Sequence, residues 1–303
     1  MIALSFLIGL YNVMKNNFFS VVALSAFLFS ASSDASIIDL GVDLGSAQQY
    51  TMAAGGANSS IILGSEAEVF GSVGAYWYLS LASGAEIHGN ACAQALSLGA
   101  GTAVNGSQGI CGQLGADISN ANIQASALAN SAQSLGVIDQ TTTLSATSTN
   151  HYTLDSVILN SGEFLTVNGS STDNVIINIL GNAKIGSGSG ILLTGGLTSD
   201  NVLFNFANTG FSSFEFGGAN ISGTFLADQG AYVLGDGATL DDVRFYTNRI
   251  MSANVQVVRT SEPTDIIIDP DTDLVVQVPE PGTFALLLAG IFFLLMRTNS
   301  KIV

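Results

Sequence analysis

Three stretches of the chain align on one another, and this repeat limits the fold more than any other feature. They are Ile61-Ile62-Leu63-Gly64-Ser65-Glu66-Ala67-Glu68-Val69-Phe70-Gly71-Ser72, Leu79-Ser80-Leu81-Ala82-Ser83-Gly84-Ala85-Glu86-Ile87-His88-Gly89-Asn90, and Leu96-Ser97-Leu98-Gly99-Ala100-Gly101-Thr102-Ala103-Val104-Asn105-Gly106-Ser107. Leu63, Leu81 and Leu98 correspond at steps of 18 and 17, as do Val69, Ile87 and Val104, and Gly71, Gly89 and Gly106. A unit this short is too small for a helical repeat and suits one coil of a β-solenoid. A single coil cannot bury its own apolar face. Stacking coils at about 4.8 Å gives each inward Leu or Val a like neighbour above and below.

The second half continues the pattern. Tyr152 to Leu159, Phe164 to Val167, Val175 to Leu180, Ile191 to Leu193 and Val202 to Phe206 are β-rich runs separated by Gly, Asn and Ser. Phe216 and Leu234 again lie 18 apart. Glycine strings such as Gly186-Ser187-Gly188-Ser189-Gly190 read as solenoid turns. The expected fold is all-β over residues 36–260, a solenoid with one helix packed alongside. That helix is predicted over Asp117 to Gly136, with Ile118, Ala121, Ala125, Leu128, Ala132 and Leu135 as its apolar stripe. Ser119 or Asp117 would be the N-cap and Gly136 the stop. Thr141 to Asn150 reads as a polar linker back to strands.

Composition removes several functions. Only 10% of residues are charged, and seven basic residues face 23 acidic ones. So few Lys and Arg cannot build a basic patch, so no nucleic-acid partner is expected. The acidic excess is expected to keep the domain soluble and to repel anionic polymers unless divalent cations bridge them.

Both ends read as addresses. Lys15 precedes the apolar run Phe18 to Phe29, and Ser33-Asp34-Ala35 offers a small-x-small cleavage site. Residues 1–35 are therefore expected to be a signal peptide cut by signal peptidase, with Met14 an alternative start. Residues 261–278 form an acidic, Pro-bearing linker. Asp269, Asp271 and Asp273 alternate there as in calcium loops, but the Gly and distal Glu of an EF-hand are missing. The segment is read as solvated spacer, and no cofactor is expected. Residues 279–303 hold Pro279-Glu280-Pro281, the apolar run Phe284 to Met296, and Arg297.

This tail resembles the PEP-CTERM sorting signal of Gram-negative bacteria. The resemblance implies a separate apolar C-terminal helix and an exosortase acting near Pro279, Glu280 and Pro281. The chain would be anchored transiently in the inner membrane through that helix, then delivered to the cell surface or extracellular matrix. The alternative for the tail is a permanent single-pass anchor. The run Ile191 to Phe206, with Ile221-Ser222-Gly223-Thr224-Phe225-Leu226-Ala227, is similar to the choice-of-anchor A domain and to the microbial ice-binding β-solenoids. That resemblance implies a right-handed solenoid with a helix beside it. The flat surface of small and Thr residues that ice binders use has no counterpart here in a repeated Thr-x-Thr motif.

Candidate chemistry is sparse. Cys92 and Cys111 fall at comparable corners of successive coils, within disulfide reach at strand spacing. A bridge is expected, with a free thiol pair or a metal site as the alternatives. Tyr76, Trp77 and Tyr78 form a cluster that would either contact a glycan or anchor a corner against the solenoid. Glu66, Glu68, Glu86, Asp241 and Asp242 are the carboxylates available for glycoside cleavage. Glu66 and Glu68 are expected to face solvent. His88 reads as a corner histidine and His151 as a linker residue, and no nucleophile or phosphate-loop motif accompanies them.

The expected function is a non-catalytic, exosortase-sorted surface or matrix protein, structural or adhesive, whose partner is an exopolysaccharide or other surface ligand. The alternatives are an ice-binding or carbohydrate-binding module and a carbohydrate-active enzyme.

Overall fold

The computed structural model describes residues 42–146, 151–207 and 212–258. The expected signal peptide, the acidic linker with Asp269, Asp271 and Asp273, and the segment carrying Pro279, Glu280, Pro281 and Arg297 lie outside the described residues. Among the described residues no helix is long and apolar enough to cross a membrane.

The strands are short because each spans one side of a coil. They are β1 (Met52–Ala54), β2 (Ser60–Leu63), β3 (Glu68–Phe70), β4 (Val73–Ala75), β5 (Tyr78–Leu81), β6 (Glu86–Ile87), β7 (Ala91–Cys92), β8 (Ala95–Leu98), β9 (Ala103–Val104) and β10 (Gln108–Gly109). Helix α1 (Leu114–Ala127) follows. Then come β11 (Gln133–Ile138), β12 (Thr142–Ser145), β13 (His151–Leu159), β14 (Phe164–Asn168), β15 (Val175–Ile179), β16 (Ala183–Ile185), β17 (Gly190–Thr194), β18 (Val202–Phe206) and β19 (Ser212–Phe216). The last are β20 (Asn220–Leu234), β21 (Thr239–Ser252) and β22 (Gln256–Val258). All pair in parallel, as successive coils of one winding must.

Three ladders result, one per side. Face A runs β8–β5–β2–β21–β20–β19–β16–β13–β11. Face B runs β9–β6–β3–β22–β21–β20–β17–β14–β12. Face C runs β10–β7–β4–β1–β21–β20–β18–β15–β13–β11. The described part of the chain therefore enters in the middle of the stack and winds out to one end. Helix α1 carries it back past the middle, and it winds in from the other end until β21 and β22 meet β1, β2 and β3.

The repeat corresponds to real columns. Leu63 pairs with Leu81 and Leu81 with Leu98, while Val69 pairs with Ile87 and Ile87 with Val104. Phe216 stands beside Leu234. The glycine corners are required by close approach: a Cβ on Gly89 would sit 2.5 Å from the Gly71 carbonyl carbon, and one on Gly106 would sit 2.7 Å from that of Gly89. In the middle of the stack the core changes from aliphatic to aromatic. Phe204 and Phe225 stack at 4.9 Å and Phe225 and Phe245 at 5.4 Å, with Phe216 and Tyr232 against them.

The Tyr232 hydroxyl is buried, with no hydrogen-bond partner among the described residues. Burial pushes its pKa well above the usual value. Burial also raises the values of Tyr50 and Tyr152. A folded-state value raised in this way leaves stability intact below the unfolded tyrosine pKa of about 10 and removes it as pH climbs beyond. Tyr232→Phe is expected to stabilise the fold by about 1 kcal/mol at neutral pH, because an unpaired buried hydroxyl is removed. It should also flatten the alkaline loss. Urea melts at pH 7 and above about pH 10 check both; a variant less stable than the parent at neutral pH defeats the argument.

Helix α1 departs from the expected span of Asp117 to Gly136. It begins at Leu114, with Gln113 rather than Ser119 or Asp117 at the N-cap position, and a 3-10 turn ends it at Leu128–Ser131. Asp117 instead accepts hydrogen bonds from the Ser46 amide and hydroxyl. Gly136 has φ +72° and lies at a register shift between β11 and β13. Its left-handed backbone, read from sequence as a helix stop, makes an irregularity in a strand. The stripe itself is correct for Ile118, Ala121 and Ala125, which are buried together with Leu114. They cover Ala53, Ile176, Leu203, Leu226 and Tyr246 on the outer side of face C. An amide network reinforces the contact. Asn122 donates to Asn205 (2.8 Å), Asn205 to Asn178 (2.7 Å), and Asn178 to the Ala125 carbonyl (3.1 Å).

The polar linker expected over Thr141 to Asn150 is also corrected. Thr142–Ser145 is β12, and its Leu144 joins the core.

Candidate functional site

With α1 over face C, the exposed side chains of faces A and B are what the molecule offers. Alternation along a strand sends every second residue outward. On face B, β12, β14 and β17 lie in adjacent layers in the register Thr143–Thr166–Leu192 and Ser145–Asn168–Thr194. Between these outward columns, Leu144, Val167 and Leu193 point to the core. The outward groups are exposed or half-buried, and none of the three strands carries a charge. Layers about 4.8 Å apart and alternate residues about 6.6 Å apart make a regular grid of hydroxyls, methyls and amides. Thr194 donates to the Asn168 side-chain oxygen at 3.0 Å, which fixes part of it.

The other half of face B is charged. Glu68 and Glu86 are register neighbours. Gln256 donates to Glu68 at 3.0 Å. His88 stacks on Phe70 with ring centroids 4.2 Å apart, lies 3.8 Å from Glu86, and has Nδ1 3.2 Å from the Asn105 amide nitrogen. His88 directly follows β6, consistent with the corner position read from the sequence, whereas His151 begins β13 rather than lying in a linker. Face A is mixed. Ile62, Met251 and Val233 adjoin in register, followed by Glu215, Lys184 and Ile158.

Cys92 and Cys111 form a disulfide, with Cα atoms 5.0 Å apart. The Tyr50 hydroxyl lies 3.1 Å from Cys92 Sγ. The aromatic cluster does not form one platform. Tyr76 lines an open recess of about 520 Å³ with Gly56, Ala57, Gly112, Gln113, Gly115 and Ala116. Trp77 is 50% exposed, so it is not a packed corner anchor. Hydrogen bonds with Ser80 and Ser97 lower the Tyr78 pKa and put its hydroxyl with the outward groups of face A.

Among the carboxylates, Asp242 accepts from the Ser199 amide (2.7 Å) and hydroxyl (2.8 Å), at φ +51°. That is a structural clasp. Beside it Arg244, 1% exposed, pairs with Asp200. Burial works to lower the Arg244 pKa, but Tyr246, Asp200 and Asp242 outweigh it and leave it raised. Among the described residues no three His, Cys, Asp or Glu gather as metal ligands.

No family model matches the chain, and no curated protein matches it. Solved structures do resemble it. An ice-binding protein from an Antarctic ascomycete, Antarctomyces psychrotrophicus, is 18% identical, with a TM-score of 0.53 over 73% of this chain and 100% of that one. An ice-binding protein from an Antarctic biological consortium is 20% identical, with a TM-score of 0.53 over 74% of this chain and 93% of that one. An ice-binding protein from an Antarctic bacterium, Flavobacteriaceae, is 18% identical, with a TM-score of 0.53; the match covers 77% of this chain and 51% of that one. At such identities the likeness is one of fold. The fold class is the parallel β-solenoid with a helix along one side that these ice-binding proteins share.

The face B grid is the feature that sequence reasoning missed. Its neighbours lie 23 apart (Thr143 to Thr166) and 26 apart (Thr166 to Leu192), so no 18-residue motif reveals it.

Proposed function

We propose that this chain is an exported, non-catalytic protein that binds ice through the uncharged half of face B. The grid of Thr143, Thr166, Leu192, Ser145, Asn168 and Thr194 carries the reading. A charged group would hold water in its own hydration shell. Regularly spaced hydroxyls and methyls on a rigid sheet can instead share an ordered layer, and ordered bridging waters cost little. The fold likeness to ice-binding proteins supports the same reading. Purified protein should show thermal hysteresis and shape ice crystals. Thr166→Lys, a half-exposed change expected to alter stability by less than about 0.5 kcal/mol, should abolish both. A parent protein with neither property sinks the reading.

A second reading rests on Pro279-Glu280-Pro281 with its apolar run and Arg297. We propose on that basis that signal peptidase and an exosortase deliver the domain to the cell surface or matrix, where it adheres to an exopolysaccharide. Deleting residues 279–303 should stop surface delivery, and mass spectrometry of the mature C-terminus should find a cut near Pro279. Unchanged delivery after the deletion defeats it.

A further inference from the structure

We propose that the end of the solenoid built by β8, β9 and β10 is a self-association surface, on which a second copy of this chain docks end to end.

Among the described residues each of these three strands pairs on one side only, β8 with β5, β9 with β6 and β10 with β7. Three backbone edges are therefore open, one on each face. The core residues of this coil are uncovered as well. In the Leu columns, Ile61, Leu63 and Leu79 are 0% exposed and Leu81 1%, yet Leu96 is 37% and Leu98 48% exposed. Ile110, on the same coil, is 79% exposed. The opposite end is different, because Ile138, Leu144 and Ala146 are buried there. The far-end strands β11 and β12 also pair on one side only among the described residues, but their core side chains are buried and Asp139 stands between them, so only the β8–β10 end is both apolar and uncharged.

Exposed sheet edges are ordinarily guarded by charges, prolines or bulges. This coil has none of these. Between Glu86 and Asp117 the sequence holds no Asp, Glu, Lys, Arg or Pro, and His88 is its only ionisable side chain besides the bonded cysteines. The whole chain carries a net charge of −16. Two copies thus repel one another over most of their surface but not across this end. That neutrality selects a like copy over an oppositely charged partner.

A two-fold axis perpendicular to the stack superposes the two coil ends and turns every strand antiparallel to its new neighbour, a pairing that all three edges can accept. The arrangement closes on itself. The two-fold contact uses this end of both copies, and the buried core side chains of the far end give no apolar drive for further growth there. One coil end is small beside the roughly 1,600 Å² of a standard interface, so the dimer should form and dissociate with concentration.

Sedimentation velocity on the mature chain should show a monomer passing to a dimer as concentration rises. Hydrogen exchange should slow in residues 95–110 over the same range. Leu98→Lys puts like charges across the two-fold and should weaken the dimer at least about tenfold, some 1.4 kcal/mol. Leu98 is half exposed, and an unchanged melting temperature confirms that the variant folds. If that variant is destabilised, the concentration dependence of exchange in the parent protein still decides. A monomer at every concentration overturns the proposal. So does protection of residues 95–110 that is independent of concentration, because the chain's own flanking segments would then cover the end. A Leu98→Lys variant that dimerises like the parent overturns it too.

Discussion

Replacing Asp200 with alanine is expected to cost the fold about 3 kcal/mol, the low end for breaking a buried ion pair, because Asp242 stays near Arg244. Arg244 lies at the corner between faces B and C, 1% exposed, paired with Asp200 and near Asp242. The corner is tied down on every side. Thr224, the register neighbour of Arg244, donates to the Ser199 carbonyl at 2.7 Å, and Ser199 is clasped by Asp242. Removing the Asp200 carboxylate takes away the ion pair of a guanidinium that is itself 1% exposed, with Asp242 remaining beside it. Arg244→Met removes the charge and keeps much of the volume, so its cost should be smaller. Adding it to Asp200→Ala should recover part of the loss. Urea denaturation of the two single variants and the double variant measures the coupling. A cost below about 1 kcal/mol for Asp200→Ala, the level of an exposed pair, refutes the argument.

Phe225→Ala should do comparable damage for a different reason. Phe225 is 0% exposed and touches Tyr232 of its own strand and Phe204, Phe216 and Phe245 of neighbouring coils. Its ring sits where an aromatic column crosses the middle of the stack. Rigid parallel ladders on three sides keep the layers from collapsing into the hole, so the cavity persists. The expected cost is about 3–5 kcal/mol, or a melting temperature lower by roughly 10 °C. Phe225→Leu should cost clearly less. Calorimetry of both variants tests the claim, and equal costs would mean that cavity volume is not the cause.

Where the coils are regular, the sequence reveals them. Leu63, Leu81 and Leu98 recur at nearly constant steps because the turns joining those coils have nearly constant length, and each predicted pair is an observed one. The cysteine bridge was legible for the same reason, since the coil repeat places both residues at one corner. Beyond β11 the turns lengthen, and the periodicity fades although the stacking does not. Val175 pairs with Val202, 27 positions on. The face B grid was hidden by this drift, and β12 by its polar composition. The Arg244–Asp200 pair joins residues 44 apart and leaves no local signal. The helix stripe was visible, but its limits were not, because a left-handed glycine serves a strand irregularity as well as a helix stop.

The meeting of β21 with β1 and β2 in mid-stack sets the order of assembly. Met52 waits for Phe245, and Ser60 waits for Arg249. The first coil to leave the ribosome therefore keeps one edge bare until almost the last strands of the domain are synthesised. Pairings this distant in sequence are slow to form. A nascent chain of this design cannot complete the middle of its stack until its final strands are made.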